Sequence, residues 1–158
     1  MKKSRTTNPR PTNDEAEECE SGDKWRFLEH TADVRMEVYG VTLQELFLNA
    51  AEGFTCLLAS GAHIEEEIVL EIILEAAEPE ELLVNWLREL LYEHETRGFL
   101  LSAVDIFELA STKLRAKVTG NRRSSDDQRE IEIKGVTYHA ISVEKTVSGY
   151  SAKILFDI

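Results

Sequence analysis

The chain has 158 residues, 42% of them hydrophobic, with 30 acidic residues against 18 Lys and Arg and a formal net charge of −12. That length suits one domain that buries a core without staples, and no apolar run of about 18 residues marks a membrane span. So acidic a chain is repelled by nucleic-acid phosphates. Stable direct nucleic-acid binding is therefore not expected, and any role in RNA or DNA metabolism runs through a protein partner or one local basic patch.

Residues 1–23 set Lys2, Lys3, Arg5 and Arg10 against Asp14, Glu15, Glu17, Glu18, Glu20 and Asp23, with almost no apolar residues. Such a segment cannot offset its ordering entropy and reads as a disordered acidic tail ahead of a domain over 24–158. Its start lacks the apolar stretch of a secretory leader. Two cysteines, Cys19 in the tail and Cys56 in an apolar helical pattern, do not read as a disulfide framework and point to a reducing, cytoplasmic setting.

The folded part opens at Trp25. After a short apolar entry and a polar break at His30–Asp33, Val34, Met36 and Val38 alternate with Asp33, Arg35, Glu37 and Tyr39, the pattern of a half-buried strand. "VTLQELFLNAAEGFTCLLAS" then reads as a helix. Thr42 and Glu45 form a capping box, Val41 and Leu46 are placed for a hydrophobic staple, and Gly61 is the expected stop.

"HIEEEIVLEIILEA" is a strand with Ile64, Ile68, Leu70, Ile72 and Leu74 on one face. The other face mixes Glu67, Glu71 and Glu75 with Val69 and Ile73. A second helix starts at Pro79, with Glu80 and Glu81 complementing its positive end, and stops at Gly98. Four strands follow, from "FLLSAVDIFEL" to "YSAKILFDI", with a charged loop, "GNRRSSDDQRE", between the second and third. The order β-α-β-α-β-β-β-β implies class α+β, an antiparallel or mixed sheet packed with two helices.

Three stretches carry candidate chemistry. In "EHTAD", His30 and Asp33 are good donors to a divalent cation, although a solvated Asp and a Thr31 turn are the ordinary reading of that stretch alone. In "EIKGVTYHA", Gly135 suggests a bulge or a close backbone approach, Thr137 and His139 fall on the face of Ile141 and Val143, and Glu132 falls on the other unless a bulge shifts the register. A core histidine is the commoner reading of His139. In the closing "ILFDI", Asp157 lies next to the α-carboxylate of Ile158, and two such groups with Asp33 would suit a hard cation. A frayed end is the alternative. His63 and His94, at element ends, read as surface residues. No G-x-S-x-G, P-loop, C-x-x-C or H-E-x-x-H is present.

"FLEHTADVRMEVYGVTLQELFLNAAEGF", "VTYHAISV" and the final "LFDI", in this order over residues 24–158, resemble the archease family. The resemblance implies an accessory protein of tRNA splicing rather than an enzyme. It implies a cytoplasmic partner, the RtcB-type RNA ligase, whose guanylylation and multiple turnover the helper promotes and whose nucleotide choice it broadens. It also implies a divalent-cation site, Ca²⁺ or else Mg²⁺ or Mn²⁺, with Asp33, Asp157 and the carboxylate of Ile158 as ligands. Glu132 matches a further acidic position tied to activation, and His30, Thr137 and His139 would neighbour the site. Gly135 departs from the alanine common in the family. A metal-dependent hydrolase, with His139 as base beside a cation-bound water, and a chaperone-like binding module are the other readings.

Overall fold

The computed structural model describes residues 22–29, 32–58, 63–123 and 132–158. Its elements run β1 (Trp25–Glu29), β2 (Asp33–Gly40), α1 (Leu43–Leu58), β3 (His63–Glu75), α2 (Pro79–Arg97), β4 (Phe99–Ala110), β5 (Lys113–Arg123), β6 (Gly135–Thr146) and β7 (Gly149–Asp157). The strands form two sheets with every pairing antiparallel, one in the order β1-β2-β7-β6 and one in the order β3-β5-β4. This is the α+β class expected, with one addition. The apolar entry before His30 is a strand of its own, pairing Trp25 with Val38 and Phe27 with Met36.

Each helix touches both sheets. Helix α1 packs on β1, β2 and β7 and on β4, whereas α2 packs on β6 and on β3, β4 and β5. The alternation of β2 is what the period of two requires: Val34, Met36 and Val38 are buried among Phe47, Phe54 and Trp86, with Ala152, Ile154 and Phe156 of β7 in the same core. The opposite faces of both sheets meet solvent. On β3 this leaves Val69 and Ile73 exposed beside Glu67, Glu71 and Glu75, as their alternation indicates.

The helix ends follow the local signals, with two refinements. The Glu45 N–H donates to Thr42 Oγ1 at 3.1 Å, and the Glu45 carboxylate accepts from the Val41 N–H, one residue earlier than in the usual capping box. Val41 is 69% exposed, so the expected staple against Leu46 does not form. Pro79 opens α2, and Gly98 closes it in the left-handed region at φ 70°. The Gly61 stop lies outside the described residues.

Polar bonds tie the layers together. Asn49 Nδ2 donates to the Tyr39 carbonyl at 2.7 Å, fixing α1 to the end of β2. The Trp86 indole N–H donates to the Phe47 carbonyl at 3.0 Å in the buried seam between the helices. His94 is 1% exposed with Nδ1 3.1 Å from the Phe99 carbonyl, so its reading as a surface residue is corrected. It sits one turn before the helix stop, where the chain folds back over it into β4. The side chain of His63 lies outside the described set.

Cys56, half-buried on α1, is disulfide-bonded, which corrects the expectation of unpaired thiols and removes cysteine usage as an argument for a reducing compartment. No helix among the described residues is long and apolar enough to cross a membrane.

Candidate functional site

Strands β2 and β7 are the inner pair of the four-stranded sheet, and their register sets Asp33 directly opposite Asp157. The Ile158 N–H donates to the Ala32 carbonyl at 3.3 Å. Ala32 and Ile158 are thus a hydrogen-bonded pair, and Asp33–Asp157, one step on, is the closer-set kind with Cβ atoms about 4.5–5.5 Å apart. Both side chains point away from the helices, because Val34 and Phe156 beside them point in. Like charges so placed repel.

On the other side of Asp157 stands β6, with Gly135 as its cross-strand partner. The Lys134 N–H donates to the Asp157 carbonyl at 2.7 Å, so with the Ile158–Ala32 bond the last two residues are held from both flanks. Ile158 is half-buried and packs against the core. A frayed end is therefore not what the structure has.

The carboxylates differ in environment. Asp157 is exposed, whereas Asp33 is half-buried and its Oδ1 is buried without a hydrogen-bond partner. An orphaned buried carboxylate oxygen is costly unless a cation or donor satisfies it. An all-oxygen donor set of neighbouring carboxylates fits a hard divalent cation. Among the described residues no three His, Cys, Asp or Glu side chains converge. Two side chains are what the sheet itself supplies, and a third donor has to be of another kind.

The other predicted residues are distributed around this pair. Glu132 is exposed in the segment that leads into β6, three residues before Gly135. His30 and Thr31 lie outside the described residues. His139 is exposed on a bulge, and its backbone N–H donates to Thr137 Oγ1 at 3.0 Å. Thr137 thereby satisfies an amide that the ladder has released.

That bulge overturns part of the sequence reading. From the turn inward β6 pairs Thr146 with Gly149 through to Ser142 with Lys153; beyond it, pairing resumes at Thr137 with Leu155. Five steps on β6 answer two on β7, so three extra residues are inserted. An odd insertion flips the faces. Val136 goes into the core and Thr137 out, while His139 leaves the face of Ile141 and Val143 on which alternation had placed it. The bulge lies at 138–141, not at Gly135, and it includes Ala140 at φ 58°, a left-handed conformation that costs about 1–2 kcal/mol for a residue with a Cβ.

Helix α2 holds this irregular stretch with residues the sequence reading passed over. Arg88 Nε donates to the Val136 carbonyl at 2.9 Å, and its guanidinium lies 4.6 Å from the centre of the Tyr138 ring. The Tyr138 hydroxyl donates to Asn85 Oδ1 at 3.2 Å. Spacing could have paired Asn85 with Arg88, since they lie three apart on one helix face. Nothing local connects either of them to Tyr138.

Two cross-strand pairs further along the outer face, Glu37 accepts from Arg26 Nε at 3.0 Å and from the Tyr39 hydroxyl at 3.1 Å, opposite Lys153. Burial pushes the Glu37 carboxyl up. The Arg26 and Tyr39 hydrogen bonds and the charges of Arg26 and Lys153 outweigh it and leave the group below its usual range. Burial, with Glu37 beside it, raises the Tyr39 phenol.

The sequence and the fold have counterparts among known proteins. The sequence model of the Archease protein family (MTH1598/TM1083) matches residues 25–158. The chain belongs to the archease family. It is 40% identical to Protein archease of Archaeoglobus fulgidus over 85% of this chain and 99% of that one. Identity to Protein archease of Methanosarcina mazei is 33%, over 87% and 97%. In three dimensions it resembles the solution structure of Methanobacterium thermoautotrophicum protein 1598, at TM-score 0.65 and 29% identity over 86% of this chain and 99% of that one. The archease of Thermotoga maritima shares the fold at TM-score 0.59 and 24% identity, over 83% and 94%. The match begins at the first residue of β1, so the acidic tail stands outside it.

Proposed function

We propose that this archease is a non-catalytic activator of an RtcB-type RNA ligase, acting through a divalent cation held by Asp33, Asp157 and the carboxylate of Ile158. The observation that carries the reading is the close cross-strand pairing of Asp33 with Asp157, one oxygen of which is buried without a partner. A bound cation would neutralise that repulsion and supply a charge that a partner's phosphate or nucleotide group could share. Ca²⁺ suits such an irregular oxygen set better than Mg²⁺, which demands near-octahedral geometry; Mn²⁺ is the third possibility. Glu132, on the approach to β6, would extend the acidic rim.

Family membership and charge support this choice of partner. A net charge of −12 keeps the helper from competing for RNA, while a basic ligase face attracts it. On this reading the helper promotes guanylylation of the ligase, sustains its multiple turnover and widens its choice of nucleotide.

The test is multiple-turnover ligation by the matching ligase with GTP and a divalent cation, alone, with this protein, and with Asp157→Ala. Stimulation by the wild type and not by the variant is expected. Equal stimulation by both would strip the carboxylate pair of its role, and no stimulation by either would overturn the activator.

The Thermotoga maritima protein carries the description "possible chaperone". The exposed Val69, Ile73 and Phe107 on the open face of β3 and β4 are what favours that reading here. Cation-independent protection of unrelated clients from aggregation, lost on Ile73→Glu, is its signature.

A further inference from the structure

Asp157 has a neighbour on β6 that the fold had to choose. If the ladder that starts at Thr146–Gly149 and reaches Ser142–Lys153 simply continued, Tyr138 would stand opposite Asp157 and His139 opposite Phe156. The three inserted residues place Gly135 there instead. A Cβ added at Gly135 would meet Asp157 Oδ2 only at 3.9 Å, so that side of the carboxylate is open. In the uninterrupted register a tyrosine would cover it.

Two sets of contacts oppose the uninterrupted register. Ile133 and Val136 are buried and would have to leave the core. That burial fixes the strand before the bulge, but it does not dictate where the released residues go. The second set does. Arg88 reaches from α2 to the last paired residues through the Val136 carbonyl, and its planar guanidinium stacks on Tyr138, whose hydroxyl is in turn held by Asn85. The two contacts at Tyr138 hold the bulge against α2, and the bond to Val136 anchors the paired residues just before it.

We infer that Arg88 is a positioning residue for the Asp33–Asp157 site. With Asn85 and Tyr138 it locks the three-residue offset of β6, so that Gly135 and not Tyr138 flanks Asp157. The inference rests on the reading of that pair as a cation site for its consequence, though not for the lock itself. Arg88 touches no ligand of the site, and it acts through the Val136 carbonyl and the Tyr138 ring. Lysine would keep the charge but lose the flat fork that bonds and stacks at once.

The full chain can be compared as wild type, Arg88→Met, Arg88→Lys and Tyr138→Phe by three readouts. The first is amide exchange at Lys134, whose N–H reaches the Asp157 carbonyl only when the offset holds. The second is calorimetric titration with Ca²⁺, and the third is the unfolding temperature. Arg88 is exposed, so none of the variants empties the core.

For Arg88→Met the expected result is Lys134 exchange about tenfold faster, the effect of losing one hydrogen bond of ordinary strength, with little change in unfolding temperature. Ca²⁺ affinity should fall about fivefold or more, in line with losses on removing outer partners of metal ligands. Arg88→Lys should restore little of either, and Tyr138→Phe should lie between. Lys134 exchange within twofold of wild type in Arg88→Met would overturn the lock, whatever Ca²⁺ does. Full recovery in Arg88→Lys would overturn it too, since charge alone would then suffice. If the wild type fails to bind Ca²⁺, the cation reading falls by itself, and the exchange rates still decide the lock.

Discussion

Asp33 and Asp157 face each other across the β2–β7 ladder, one half-buried and the other exposed, at the close-set kind of cross-strand position. In a protein without a bound cation this pair opposes folding, so Asp157→Asn should raise stability by about 0.2–1 kcal/mol in the presence of a chelator. Added Ca²⁺ should reverse the order. The wild type gains about 2.7 kcal/mol when free cation is a hundredfold above Kd, and the variant gains little. Thermal unfolding of both proteins with chelator and with Ca²⁺ checks this. Parallel gains in the two proteins would mean that cations act elsewhere.

The Arg26–Glu37–Tyr39 group gives an acid-sensitive contribution. The Glu37 carboxyl is held below 4.5 in the fold, so its stabilisation is present above that value and is lost as pH falls through the lower folded pKa. Arg26→Met removes the 3.0 Å ion pair and should destabilise at pH 7 by about 0.5–1 kcal/mol. The gap from wild type should close as the medium is acidified below 4.5. Denaturant titrations at pH 7, 5 and 3 read this directly, and a gap that holds constant with pH would count against it.

Glu89 behaves in the opposite sense. Burial, and then the charge of Glu93 one turn along α2, raise its carboxyl above 4.5. A group whose folded pKa is raised favours folding below its unfolded value and loses that contribution as pH rises through the folded one. Glu89→Gln should therefore raise the unfolding temperature at pH 7 and make little difference at pH 3. A variant less stable than wild type at pH 7 would show that the ionised carboxylate is needed.

Two glycines separate steric need from mere tolerance. At Gly120, in β5, a Cβ would fall inside the contact radius of the Leu100 carbonyl oxygen and within 2.7 Å of the Phe99 ring. Gly120→Ala should cost about 2–3 kcal/mol, the penalty of overpacking against backbone that has to move. At Gly135 the nearest atom would be 3.9 Å away, and Gly135→Ala should stabilise by about 0.4–1 kcal/mol by restricting the unfolded chain. Urea unfolding of the pair gives both signs in one experiment.

How much of this was legible in the residues depended on the range of the signal. The strand alternation of Val34, Met36 and Val38, the Thr42 cap, Pro79 at the start of α2 and Gly98 at its end are local, each set by a few neighbouring dihedrals and side chains, and each is where the sequence pointed. The α+β class follows from their order. So does the choice of Asp33 and Asp157 as residues to watch, since both are acids next to a buried run, although their facing one another is a matter of register.

Tertiary structure decided the rest, because it turns on which strand lies beside which. Sequence order does not say that the last strand pairs with the second, and that pairing alone brings the two aspartates together. Alternation carried through "GVTYHAISV" placed His139 with the core. A three-residue insertion with a non-glycine residue in the left-handed region leaves no local mark by which to count it. Its existence depends on burying Ile133 and Val136 and on contacts from α2, which is roughly fifty residues away in the chain. His94 is misplaced for the same reason. What buries it is the chain folding back after Gly98, a long-range fact that no window around the residue contains.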